Sequence, residues 1–250
     1  MTVARVLIVA GSDSGGGAGI QADIKTVTML GGHAMTAITA LTAQNTLGVQ
    51  GVLPVPADFV VQQMRSCIDD IGVDAVKIGM IGSAETACAV AEVLASIGVP
   101  VVLDPVMVAT SGSVLADPAT IDAMKAIMAY TVLTTPNLPE LDALGGLDAL
   151  TAWGETVLVK GGHGEGDVVH DRLVGPTGEI ARWSNPRIDT AHTHGTGCTL
   201  SSAIATGLGQ GMNLPQAIER AIAFVRASLE AAPGFGKGHG PMGQQSVRDR

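Results

Sequence analysis

The chain has 250 residues, 46% hydrophobic but only 2% aromatic, so its core is aliphatic, and with 33 glycines close helix-on-sheet packing is favoured over an aromatic-rich sandwich or barrel. A formal net charge of -9 argues against nucleic acid or an anionic membrane as a partner, while leaving room for a locally positive phosphate site. Cys67, Cys88 and Cys198 are far apart without CxxC or metal spacing, which argues against a disulfide framework and a structural zinc site and favours a reducing cytoplasm; the start of the chain has no signal-peptide profile and no apolar run approaches the ~18 residues of a membrane span.

Residues 3–10, β-branched and aliphatic apart from Arg5, predict a buried strand closed by Gly11. Residues 11–19 follow as a polar, glycine-rich loop at that strand's C-terminal end, the edge where ligands gather in open parallel sheets, before a helix over about 20–30. The loop lacks the P-loop pattern and matches the dinucleotide glycine spacing only loosely, so a backbone nest around a small ligand is expected. Asp23, one turn into the helix, either caps free N–H groups or faces a ligand, and capping is the more ordinary role. A second strand over 33–44 delivers Gln44 to the same edge, where its amide suits a heterocyclic base or simply ends the strand in a turn.

Apolar residues at helical spacing over 57–71 place Cys67 on a buried face. The next strand, 75–78, leads to Met80, whose thioether suits either packing or a flat ring. A helix over 83–97 and a strand over 99–103 bring Asp104 to the ligand edge, with Pro105 ending the strand. After a helix over 118–130 and a strand over 132–134, Asn137 and Glu140 stand three apart at a helix start. They can share a face and hold a hydrated magnesium ion, or form an ordinary cap with a first-turn carboxylate. The strand 155–160 ends in Lys160 before two glycines, a position suited to a phosphate.

Residues 167–174 and 179–183 read as an antiparallel edge hairpin. His194-Gly195-Thr196-Gly197-Cys198-Thr199 then opens a helix rich in small residues. Its glycines allow close approach of a ligand, its N–H groups favour an anion, and the same donors favour a thiolate at Cys198. A final amphipathic helix spans about 214–232, and the tail from Pro233 is a loop positioned to fold back on the site. Six strands alternating with helices and no linker indicate one domain over residues 1–250. Polar residues or glycines meet at six strand ends, Gly11 onward, Gln44, Met80, Asp104, Asn137 with Glu140, and Lys160.

The segments 10–23, 42–46, 77–80, 104–107, 135–140, 160–163 and 193–201 together resemble the hydroxymethylpyrimidine and phosphomethylpyrimidine kinases of thiamine biosynthesis, within the ribokinase-like superfamily. The resemblance implies a single-domain, three-layer α/β fold, with a mostly parallel central sheet, helices on both faces and an antiparallel edge hairpin. It implies ATP-dependent phosphorylation of the pyrimidine alcohol and then of its monophosphate, by a cytoplasmic homodimer using Mg2+. Residue by residue, Asp23 and Gln44 would bond the aminopyrimidine, with Gly11, Met80 and Val106 around it and Lys237 a candidate for the first phosphate. Glu140 and Asp104 would serve the metal, Asn137 and Lys160 the nucleotide, and Gly195, Thr196, Gly197 and Cys198 the anion hole, with Cys198 as base. A pyridoxal kinase of the similar Cys-containing type is the alternative, and a catalytically silent relative a third reading. Two departures stand out: a shortened 144–156 segment, expected to reduce or remove a peripheral helix, and an altered ending after Pro241.

Overall fold

The structure, a computed structural model, describes residues 2–109, 112, 114–164 and 166–247. Among these, nine strands form one sheet: β1 (Arg5–Asp13), β2 (His33–Asn45), β3 (Gly48–Pro54), β4 (Ala75–Ile78), β5 (Val101–Leu103), β6 (Leu133–Thr134), β7 (Val157–Val159), β8 (Val168–Gly175) and β9 (Gly178–Pro186). Their order is β3-β2-β1-β4-β5-β6-β7-β8-β9. The strands from β2 to β7 pair in parallel, while β3 at one edge and β8 and β9 at the other run antiparallel.

Among the described residues there are eight α-helices: α1 (Gly19–Met29), α2 (Ala57–Asp70), α3 (Ala84–Leu94), α4 (Pro118–Met128), α5 (Leu138–Ala143), α6 (Leu147–Ala152), α7 (Thr196–Gly209) and α8 (Leu214–Glu230). They cover both faces, which is why the central strands are buried throughout and, Lys77 in β4 and Thr134 in β6 apart, mostly apolar rather than alternating. Along β1, Leu7 and Val9 pack with Met64, Val90 and Ile127, whereas Val6 and Ile8 pack with Val27, Ala203 and Ile218 on the opposite face. The chain turns to β2 on one side of β1 and to β4 on the other. That reversal opens a crevice beyond the C-terminal ends of β1 and β4.

Two local features differ from expectation, and a third falls within it. The first three residues of the expected glycine loop continue β1 after a register shift between Ala10 and Ser12. The edge strand β3 was not foreseen, because its seven residues are half-buried or exposed and include Gly48, Gly51 and Pro54, leaving no apolar alternation to read. In the shortened 144–156 segment the helix is reduced rather than lost: α6 keeps six residues and buries Leu150.

Candidate active site

A cavity of about 930 Å³ opens at the C-terminal edge of the sheet. Its lining includes Gly11, Gln44, Met80, Asp104, Val106, Asn137, Glu140, Lys160, Gly195, Thr196, Gly197 and Cys198, so twelve of the fourteen residues singled out in the sequence meet there. The two that do not are Asp23 and Lys237.

At one end of the cavity is the start of α7. Gly195, its N-cap, has φ 89°, and a Cβ there would strike the carbonyl oxygen of Gly17. Only glycine lets the helix dock against the β1 loop in this way. The Thr196 N–H reaches back to the Thr193 carbonyl at 3.3 Å, and the next N–H groups, of Gly197 and Cys198, belong to the first turn and have no helical acceptor. A Cβ on Gly197 would lie 3.2 Å from Asp104 Oδ2 and 3.3 Å from Lys160 Nζ, so the helix end, a lysine and a carboxylate share one small volume. Lys160 Nζ donates to Asp104 Oδ1 at 2.8 Å and stands 3.9 Å from Glu140 Oε2. Burial works to lower the Lys160 pKa, but Asp104 and Glu140 outweigh it and keep the ammonium charged.

Asn137 and Glu140 form a complete capping box at the start of α5: the Glu140 N–H donates to Asn137 Oδ1 and the Asn137 N–H to Glu140 Oε2, both at 2.9 Å. The ordinary role therefore occupies the Asn137 side chain, while Glu140 keeps further acceptor capacity facing the cavity. Burial pushes the Glu140 carboxyl up to about 7, Lys160 opposing and Asp104 reinforcing the shift.

Cys198 is half-buried on the cavity wall. Desolvation pushes its thiol up to about 12; Lys77 and the Gly19 N–H pull it down, while Asp23 and Asp104 push it further up. The expected thiolate is thus corrected for the protein without ligands: a helix N-terminus is worth too little to offset burial beside two carboxylates.

At the other end Asp13 organises the β1 loop. Its carboxylate accepts from the N–H groups of Gly15, Gly17 and Ala18 at 2.8, 2.9 and 2.8 Å, and lies 2.9 Å from His194 Nε2. Burial would raise its pKa, but His194 and the backbone donors hold it below the usual carboxylate range. Gln44 Nε2 is 3.4 Å from the same histidine nitrogen, and Thr42 Oγ1 donates to Gln44 Oε1 at 3.2 Å, so the amide is held in place at the rim. Opposite it a Cβ on Gly11 would run into the Met80 methyl, which keeps that wall flat. The tail does return to the site: the His194 N–H donates to the Gly240 carbonyl at 3.2 Å, and His239 joins the cavity lining.

Asp23 neither caps α1, whose N-cap is Ala18, nor reaches the cavity. It is fully buried, with Lys77 Nζ donating to Oδ2 at 2.8 Å and Oδ1 at 3.0 Å and Ser202 Oγ donating to Oδ1 at 2.6 Å. A carboxylate so engaged behind the wall has no face left for a pyrimidine. Lys237 is exposed outside the cavity, its N–H donating to Thr46 Oγ1 at 3.2 Å, so its ammonium is not where a first phosphate would sit. Lys77, Asp13 and His194 were not singled out. A lysine inside the apolar run of β4 was the one available signal, since burying it demands a charged partner.

A family model described as phosphomethylpyrimidine kinase matches residues 13–243. A hydroxymethylpyrimidine/phosphomethylpyrimidine kinase of Streptomyces coelicolor is 44% identical over 97% of this chain and 94% of its own length. The thiamine biosynthesis multifunctional protein ThiED of Corynebacterium efficiens is 43% identical over 98% of this chain, which spans 36% of that longer protein. Among solved structures, Bacillus subtilis pyridoxal kinase in its ADP complex superposes with a TM-score of 0.88 at 30% identity, over 98% of each chain. With nearly its whole length matched and the glycine-rich start of α7, Lys160 and the Gln44–Met80 wall around one cavity, the chain belongs to the phosphomethylpyrimidine kinase family.

Proposed function

We propose that the protein transfers the γ-phosphoryl group of ATP to 4-amino-5-hydroxymethyl-2-methylpyrimidine and then to its monophosphate, in thiamine biosynthesis. The observation that carries this is the meeting of the α7 N-terminus with Lys160, Asp104 and Glu140 in one wall, opposite a flat rim built from Gly11, Gln44 and Met80. Phosphoryl transfer needs such positioned donors around three phosphate oxygens more than it needs a strong base. The Gly197 and Cys198 N–H groups and the Lys160 ammonium would hold the transferring group. The substrate oxygen forms the new bond to phosphorus as the bond to the β–γ bridging oxygen breaks, ADP leaves, and the hydroxyl proton passes to Cys198 Sγ in its thiolate form, the thiol having first given its own proton to solvent.

Asp104 and Glu140 fit magnesium: hard carboxylate oxygens, one with a pKa raised by burial, beside a place for phosphates that would complete the coordination. When bound, the ion would neutralise charge on the nucleotide phosphates. A homodimer in the cytoplasm belongs to the same reading, supported by the family resemblance; among the described residues no helix is long and apolar enough to cross a membrane.

The similarity to pyridoxal kinase favours a second reading, pyridoxal phosphorylation in the same cavity. A coupled ADP-release assay with the pyrimidine alcohol, its monophosphate and pyridoxal decides between them. Turnover of both pyrimidines is expected, and turnover of pyridoxal alone would overturn the proposal.

A further inference from the structure

We propose that His194, set by Asp13, is a positioning residue that fixes which way round the Gln44 amide faces, and through it which end of the pyrimidine ring points to the start of α7. The ring assignment rests on the substrate reading above. Gln44 sits at the register shift of β2 against β3, where Ser14 Oγ accepts from its N–H and donates to its carbonyl, both at 2.8 Å. With the backbone pinned, the amide keeps two orientations, and its neighbours choose between them.

Asp13 is an acceptor only. Its Oδ1 takes the Gly15 N–H and its Oδ2 those of Gly17 and Ala18, so the proton shared with His194 at 2.9 Å sits on Nε2. That nitrogen is therefore a donor with no lone pair to offer. On the other side of the amide, Thr42 Oγ1 has one proton, and the Ser12 carbonyl lies nearer to it, at 2.8 Å, than Gln44 does, at 3.2 Å. The hydroxyl thus turns its lone pairs toward Gln44. An amide nitrogen facing His194, at 3.4 Å, sets donor against donor there and acceptor against acceptor at Thr42. Turned over, the carbonyl oxygen accepts a second branch of the His194 N–H and the NH2 donates to Thr42, so both contacts favour this orientation.

The turned amide reads the ring in one sense. The 4-amino group donates to the carbonyl oxygen and N3 accepts from the NH2; next to the amino group is C5 with its hydroxymethyl. Because His194 runs straight into Gly195, the oxygen end of the amide is the end beside the phosphate cradle. The reacting hydroxyl then points to the start of α7 and the C2 methyl points away. With the amide reversed, these two substituents would exchange ends.

Solution NMR of the ligand-free full-length protein tests the orientation, with Gln44→Glu identifying the amide signal. Nuclear Overhauser contacts of the Gln44 NH2 are expected to be stronger to the Thr42 methyl than to the His194 ring; equal or reversed intensities would overturn the proposal. The positioning role is tested by calorimetry with the pyrimidine alcohol and its 4-oxo counterpart, whose N3–H and C4 oxygen present the opposite pattern. The native protein is expected to prefer the amino ligand. His194→Phe keeps a ring and removes the donor, and is expected to shrink the ratio of the two Kd values by about tenfold. A residue that only packs the rim would weaken both ligands alike, so an unchanged ratio sinks the proposal too. Should His194→Phe fail to fold, Thr42→Val removes the other partner and is held to the same ratio. Expected contacts and a narrowed ratio in a protein that leaves the pyrimidine alcohol unphosphorylated would keep the role of His194 and remove the kinase reading. Turnover of both pyrimidines with an unchanged ratio would do the reverse.

Discussion

Glu140 is both a first-turn cap and the carboxylate most displaced toward neutrality by burial among those lining the cavity, and the two roles have separable consequences. Its pKa is up to about 7 in the folded chain against 4.5 for the free side chain, so the native state binds the proton more tightly. Stability from this group is complete below about pH 4.5 and is lost as pH rises toward 7. Glu140→Gln keeps an acceptor for the Asn137 N–H and has no proton to lose. In EDTA it is expected to be more stable than the native chain at pH 8 by on the order of 2 kcal/mol, with the difference gone near pH 4.5, as read from urea unfolding. The same variant is expected to lose turnover through a weakened hold on the cation. Cys198→Ala is expected to cut kcat by roughly 10²-fold with modest change in KM, in steady-state kinetics with the pyrimidine alcohol.

At the scale of elements, α7 ties the site to the core. Its N-terminal turn faces the cavity while Ala203, Ile204 and Ala205 are fully buried against the sheet, so the helix cannot shift to suit a ligand. Gly195→Ala forces a left-handed φ on alanine and a clash with Gly17, and is expected to lower the melting temperature and reduce turnover by roughly 10²-fold or more where protein remains folded. Much of this element was legible in advance, since Gly195-Thr196-Gly197 before a run of small residues has a direct physical meaning. The parallel strands were legible too, because Val6–Ala10 or Ala75–Ile78 must be buried on both faces. What stayed hidden depended on partners far along the chain. Asp23 among apolar neighbours could be seen to need a partner, but nothing near it in sequence points to Lys77, 54 residues on, or Ser202, 179 residues on. Asp13 looked like one more polar loop residue for the same reason, and β3 carried no periodicity to betray it.

Across the whole molecule, the C-terminal tail is pinned at several separate places, and His239 from it lines the cavity. Gln244 is fully buried and its Nε2 donates to Thr199 Oγ1 at 3.1 Å, directly beside Cys198 in sequence, while Gly236 and Gly238 lie against Thr46 after β2. Gln244→Ala is expected to cost about 1–2 kcal/mol in urea unfolding, and to raise KM for the pyrimidine alcohol more than it lowers kcat. The anchor is remote from the transferring group, but it carries Gly240 and His239 to the rim.

His194 joins two segments that lie far apart in the chain. The phosphate cradle needs α7 and the strand-end residues before it, but His194 meets Asp13 across 181 residues and its N–H is closed only by the Gly240 carbonyl. A growing chain on the ribosome therefore cannot close the His194 side of the rim until Gly240 has emerged. Substrate or nucleotide can stabilise the folded protein by mass action, but neither can act through the His194 side of the rim until Asp13 and Gly240 have both met that histidine.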